Sequence, residues 1–104
     1  MSRPELLDLA VVDDWLRAFP RWRRDDAHLL TTVRTSTYQA GAELLLALVP
    51  VADSLDHHPN ASLGYRQISL ELWTHDRGGL TVLDQRYVEG FEKVLDGRPD
   101  LLGD

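Results

Sequence analysis

The chain has 104 residues, 43% of them hydrophobic and 27% charged, and its 11 basic and 17 acidic side chains give a net charge of −6 at pH 7. Such a length buries roughly two-thirds of the unfolded surface, which supports a single domain over residues 1–104 but not two. The acidic balance argues against nucleic acid as a partner, and the absence of cysteine excludes disulfides, a thiolate nucleophile and sulfur-ligated metals. No apolar run approaches the ~20 residues that cross a bilayer, and the start lacks a signal-peptide pattern. We therefore expect a cytoplasmic protein without membrane contact.

The first third of the chain predicts a helix followed by two strands. Apolar residues recur at helical spacing over about residues 8–18, and Pro20 ends that helix. Residues 29–35 are rich in β-branched side chains and predict a strand, paired with a shorter one around Trp22 through a turn at Asp25-Asp26. The two aspartates follow a cluster of arginines, which we therefore interpret as a solvated surface rather than a nucleic-acid site.

The longest apolar pattern predicts a second helix over about residues 36–55. Ser36 stands three residues before Gln39, the spacing of a capping box. Pro50 lacks a backbone donor, so we expect a kink or a local break over residues 46–50. The apolar arc of this helix is wider than packing on one sheet requires, which predicts a homo-oligomer, dimer or tetramer, through this helix or through sheet edges.

Residues 65–75 alternate cleanly and predict a strand with one core face, formed by Ile68, Leu70, Leu72 and Thr74. The turn at residues 76–79 leads to a last helix that Thr81 and Asp84 begin as a capping box and that Gly97 ends. Residues 97–104 are predicted to be a loose tail. Few strands and several helices together favour an α+β fold, with an antiparallel sheet covered by helices on one face.

Three of the four histidines lie between residues 53 and 84: His57 and His58, which precede a proline, and His75 at the end of the alternating strand. Imidazole titrates near neutrality, so two rings facing one ligand can give and take protons in a single turnover. A dehydration requires this pairing. Three histidines with a carboxylate also suit zinc, but the spacing is not that of a dedicated metal site, and we predict none. His28, outside this group, is interpreted as a surface or capping residue.

The spacing of these residues resembles that of a known family. Asp53, the His57-His58-Pro59 run, Tyr65, His75 and Asp84 follow one another as in the signature of the pterin-4a-carbinolamine dehydratases, also called 4a-hydroxytetrahydrobiopterin dehydratases. Asp53 stands where a glutamate is commoner in that family. The resemblance implies the element order α-β-β-α-β-β-α, with about four antiparallel strands and three helices packed on one face.

The resemblance also implies an activity. Such an enzyme, without a cofactor, removes water from 4a-hydroxytetrahydropterin (4a-hydroxytetrahydrobiopterin) and gives quinonoid dihydropterin in tetrahydrobiopterin recycling. His57 and His75 would be the acid/base pair, and His58 would bind and orient the pterin. Further substrate contacts would come from Asp53, Asp56, Trp73 and Thr74. Tyr65 is as suited to packing as to contact with substrate. Asp84 is explained by its helix cap.

The same family fold also serves as a protein-binding module without catalysis, either as a dimerisation partner or as an assembly scaffold. A scaffold would be free to lose the histidines. Because this chain keeps all three at the spacing of the signature, the sequence favours the enzyme over the module.

Overall fold

The computed structural model describes residues 4–104. Its elements follow the order that the resemblance implies, α-β-β-α-β-β-α, and so confirm the α+β fold. They are α1 (Leu9–Leu16), β1 (Trp22–Asp25), β2 (His28–Arg34), α2 (Tyr38–Leu55), β3 (Asn60–Gly64), β4 (Gln67–Leu72) and α3 (Val82–Gly97), with 3₁₀ turns at His75–Arg77 and Pro99–Leu101. None of the helices in this described part of the chain combines the length and apolarity that crossing a membrane requires.

The four strands form one antiparallel sheet in the order β1-β2-β4-β3. The alternation predicted for the last strand is confirmed, since Ile68, Leu70 and Leu72 are buried on the face that the helices cover. β3 has no such alternation, because most of its residues are exposed at the sheet edge. Only the resemblance, and not the residue pattern, indicated this strand.

α2 and α3 pack against each other and cover the sheet, and their buried residues join those of β2 and β4 in one core. Tyr87 of α3 stands at the centre of this core beside Trp22 and Phe91. Burial raises the pKa of the Tyr87 phenol, which therefore stays protonated well above neutral pH.

Two of the arginines near Trp22, Arg21 and Arg24, are paired with carboxylates of the helices. Arg24 donates two hydrogen bonds to Asp13 of α1, at 2.6 and 2.9 Å, and this guanidinium lowers the pKa of the Asp13 carboxyl. Arg21 pairs with Glu92 of α3. The hairpin turn itself lies one residue later than predicted, because Asp25 pairs with His28 and leaves Asp26, at φ 52°, in the turn.

The cap predicted for α2 is wrong, and so is one of the two outcomes predicted at Pro50. The helix is capped by Thr37, whose hydroxyl accepts a hydrogen bond from the Ala40 amide at 2.9 Å, and not by Ser36. The helix also continues through Pro50, which excludes the local break, whereas the kink given as the alternative stays a prediction. The carbonyl that loses its partner belongs to Leu46, which is 71% exposed, so solvent can satisfy that carbonyl and the helix need not open.

The prediction of a loose tail is also wrong. Leu101 is buried in the core, and its carbonyl accepts a hydrogen bond from the Ser36 amide at 3.0 Å. The Gly103 amide donates to the Arg34 carbonyl at 3.0 Å. A Cβ on Gly103 would lie 2.7 Å from the Thr35 carbonyl oxygen, so only glycine permits this approach of the tail to the end of β2.

Candidate active site

The structure brings the three histidines of the motif to one cleft of about 300 Å³, between the end of α2, the turn after β4 and the start of α3. Larger concavities exist, among them one of about 380 Å³ on the open face of the sheet, but no histidine lines that one. The residues that line the cleft are Pro4, Asp56, His57, His58, Thr74, His75, Asp76 and Leu83.

The end of α2 aims the first histidine into the cleft. Asp56 caps the helix in the left-handed conformation, at φ 47° and ψ 49°, and the His57 amide then donates to the Ala52 carbonyl at 3.0 Å. A non-glycine residue in this conformation costs on the order of 1 kcal/mol or more. The left-handed cap and the His57 amide bond, and not an extension of the helix, therefore set the direction in which the chain leaves α2 at His57.

His57 is held by a buried carboxylate. Its Nε2 lies 2.6 Å from Oδ1 of Asp84, and the two residues are 7% and 0% exposed. Because an ionised carboxylate only accepts, Nε2 carries a hydrogen and donates it. In the neutral ring Nδ1 is then unprotonated, and it is the one ring nitrogen left to accept a proton from a bound molecule.

Asp84 also begins α3. Its Oδ2 accepts from the Thr81 amide at 2.9 Å, as in the predicted capping box, which is confirmed. Oδ2 also accepts from the Thr74 hydroxyl at 2.8 Å. Since that uses the single hydrogen of the Thr74 hydroxyl, Thr81 must donate to Thr74 across their 2.8 Å contact. Every oxygen of this buried network thus has a partner, and Asp84 is fixed rigidly behind His57.

His58 lies at the rim of the cleft. Its Nε2 is 3.0 Å from Oδ1 of Asp53, and both side chains are more than half exposed. Asp53 does not line the cleft itself, so it contacts the site through His58. His58 also borders an apolar groove of about 250 Å³ beside α2, so it separates the polar cleft from an apolar surface.

His75 lines the same cleft from the turn after β4, with its ring stacked on Trp73 at a centroid distance of 4.1 Å. Trp73 itself does not line the cleft. Tyr65 lies in the turn between β3 and β4, is 81% exposed and is also outside the cleft. The structure thus groups His57, His58 and His75 with Asp56 and Thr74, and places the other predicted contacts behind or beside them.

The contact of Asp84 with His57 is the part of the site that sequence reasoning missed. Asp84 belongs to the spaced signature, and this was the signal that could have revealed the contact. As for metals, within residues 4–104 no three histidine or carboxylate side chains converge in the way that metal ligands do.

A four-stranded antiparallel sheet with three helices is also the fold of solved pterin dehydratase-like proteins. A solved structure from Brucella melitensis, described as a transcriptional coactivator/pterin dehydratase, has a TM-score of 0.80 to this chain, covers 86% of it and 98% of its own length, and is 22% identical. A second, described as a pterin dehydratase-like protein and RuBisCO assembly factor of the alpha-carboxysome, has a TM-score of 0.57, covers 71% and 86%, and is 16% identical.

Sequence comparison extends this likeness from fold to family. The sequence model of pterin 4 alpha carbinolamine dehydratase matches residues 5–94. Proteins that carry this family's name are 31% identical over 88 residues in Metallosphaera sedula, covering 85% of this chain and 92% of the relative, and 31% identical over 101 residues in Rhizobium meliloti, covering 94% and 97%. The chain belongs to the pterin-4-alpha-carbinolamine dehydratase family.

Proposed function

We propose that the protein is a cytoplasmic dehydratase that removes water from 4a-hydroxytetrahydropterin and gives quinonoid dihydropterin, in tetrahydrobiopterin recycling. The observation that carries the proposal is the pair of imidazoles at one cleft: His57, backed by the buried carboxylate of Asp84, and His75, which lines the same cleft. Family membership supplies the substrate class.

The hydrogen bond to Asp84 supports one division of roles between the two rings. With its Nε2–H directed at a carboxylate, His57 is suited to accept a proton at Nδ1, because the carboxylate stabilises the imidazolium that forms. His75 then protonates the leaving hydroxyl. The C4a–O bond breaks with release of water, a ring nitrogen of the pterin loses its proton to His57, and proton exchange with solvent restores both rings.

The remaining predicted contacts divide by position. His58, at the rim of the cleft, binds and orients the pterin, and Asp53 holds His58. Asp56 and Thr74 line the cleft and supply polar atoms to the pterin. The hydrogen of the Thr74 hydroxyl is already given to Asp84, so a contact of Thr74 with substrate must use its backbone or a lone pair.

The test is a stopped-flow assay of 4a-hydroxytetrahydropterin dehydration on wild type and on His57→Ala, His75→Ala and His58→Ala. We expect the first two to lower kcat by about 10²- to 10⁴-fold, the usual contribution of a positioned acid or base. His58→Ala should mainly raise KM. Arg86→Ala, an exposed change on α3, is the matched control, and chelator should not affect the rate.

Wild-type protein that gave no acceleration over buffer would contradict the proposal. That result would favour the second candidate, a protein-binding or assembly module, which the likeness of fold to a RuBisCO assembly factor supports. The enzyme is preferred because the histidines of this chain are arranged at one cleft with a buried carboxylate behind them, an arrangement that a scaffold has no need to keep.

A further inference from the structure

Three aromatic rings, those of His28, Trp73 and His75, are stacked in a row that ends at the cleft. Trp73 lies in the middle, with the His75 ring on one face at 4.1 Å and 20° between planes. The His28 ring covers the other face at 4.1 Å and 7°. Both are close face-to-face contacts, and only the last ring of the row, His75, reaches the cleft.

The row is built where β4 ends. Trp73 directly follows the last residue of β4, and His75 begins the 3₁₀ turn two residues later. In the antiparallel register Leu29 is opposite Leu72, which brings His28 opposite Trp73 just past the last pair of the ladder. His28, interpreted from the sequence as a surface residue, is thus joined to the site by the pairing of β2 with β4.

The two catalytic rings are held in different ways. His57 is fixed by its hydrogen bond to Asp84. Within residues 4–104 the His75 ring makes no hydrogen bond or ion pair, and it is exposed, so its face on Trp73 is the contact that orients it. His28 at the far end is itself anchored, with Nδ1 2.6 Å from Oε2 of Glu71.

We propose that Trp73 is a positioning residue that holds the His75 ring for proton transfer, and that His28, tied to Glu71, braces the other face of the indole. This inference rests on the proposed dehydratase function. An indole face packs favourably against a neutral imidazole and against an imidazolium, so His75 stays seated in both protonation states that a turnover requires. Because Trp73 does not line the cleft, it acts through His75 and not by touching the pterin.

The experiment joins NMR to kinetics. In wild type, the carbon-bound ring protons of His75, assigned by their loss in His75→Gln, should appear upfield of those of His58, because they lie over the indole. Trp73→Leu should abolish that upfield shift and lower kcat about three- to tenfold with little change in KM, the range expected for one aromatic stacking contact. Trp73→Phe should restore most of both. His28→Leu should give a smaller loss of kcat, about twofold.

Thr32→Ala is the matched control. Thr32 lies on the same face of β2 as His28, and its hydroxyl contacts Ser69 on the neighbouring strand, away from the row of rings. It should change neither the shift nor kcat. Loss of the upfield shift in Trp73→Leu with kcat unchanged would overturn the positioning role, and so would an effect on KM alone. Failure of the proposed dehydratase function would give a different result: wild type would show the shifted His75 resonances but no dehydration. The stacking would then stand, and the role of Trp73 in proton transfer would be refuted.

Discussion

At the scale of single residues, the site depends on one carboxylate that does two things. Asp84 accepts from the Thr81 amide to begin α3 and from His57 to orient a ring of the cleft, and it is wholly buried. A substitution that serves only one of these contacts leaves the other group without a partner. Helix stability and ring orientation are therefore coupled through this residue.

Asp84→Asn tests that coupling. An amide has one acceptor oxygen and one donor nitrogen, so it cannot accept from both His57 and the helix start, and a buried polar group loses its partner at a cost of about 1 to 3 kcal/mol. We expect a corresponding loss in free energy of unfolding, measured by urea denaturation, together with a fall in kcat of at least tenfold.

The control for lost stability is Thr37→Ala, at the far end of α2, which should lower stability by about 1 kcal/mol and leave kcat unchanged. An Asp84→Asn protein with wild-type kcat would show that the carboxylate only caps the helix.

The residues of the cleft were predictable in part. The spacing of His57, His58 and His75 indicated a common site, and the fold does bring them to one cleft. The bond between Asp84 and His57 was not predictable by the same reasoning, because the local capping box already explained the aspartate. The positioning role proposed for Trp73 could not be predicted either, because it rests partly on the stacking of Trp73 with His28. That contact is visible only once the register of β2 on β4 is known.

At the scale of elements, the start of α2 shows how tertiary contacts shift a helix boundary. Ser36 and Thr37 are both able to cap a helix, and the sequence favoured Ser36 because of Gln39. In the fold, the Ser36 amide and hydroxyl are directed to the carbonyls of residues 100 and 101, while Gln39 bonds Glu43. Thr37 is left to cap the helix.

The cap can be tested with a matched pair of variants. Thr37→Ala removes the acceptor for the Ala40 amide and should lower the free energy of unfolding by about 1 kcal/mol. Ser36→Ala removes a hydroxyl that donates to the Asp100 carbonyl over 3.2 Å at the surface, and should cost about half as much or less. Chemical denaturation measures the free energy of unfolding of both variants. A larger loss in Ser36→Ala than in Thr37→Ala would show that Ser36 caps the helix.

At the scale of the whole molecule, the C-terminal residues close the fold. Their composition of glycine, proline and aspartate predicted looseness, because local propensity contains no information on distant partners. In the structure Leu101 reaches the core, and Gly103 pairs with the end of β2. The fold class could be predicted because it follows from patterns along most of the elements, with β3 added by the family resemblance, whereas the docking of the tail depends on contacts more than 60 residues apart along the chain.

Leu101→Ala measures how much the docked tail contributes to the free energy of unfolding. Leu101 is 3% exposed, and truncating such a side chain to alanine in a packed core costs about 2 to 5 kcal/mol. We expect a loss of that order in thermal or chemical unfolding, with Asp104→Ala, an exposed change three residues beyond the tail's 3₁₀ turn, as control. A loss no larger than that of the control would mean that the tail is loose after all.

The apolar surface of α2 has consequences for assembly. Leu46 and Val49 are exposed on this helix, and Val49 lines the apolar groove next to His58. Such a surface is unfavourable for a single chain in water, which supports the predicted homo-oligomer.

We expect wild type to sediment as a dimer or tetramer. The double variant Leu46→Glu with Val49→Glu should shift the protein toward monomer, because association would bury two charges without partners. Arg86→Glu, on the exposed side of α3, should leave the sedimentation coefficient unchanged. A wild-type monomer at micromolar concentration would refute self-association, and an oligomer that survives the double substitution would place the contact at the sheet edges.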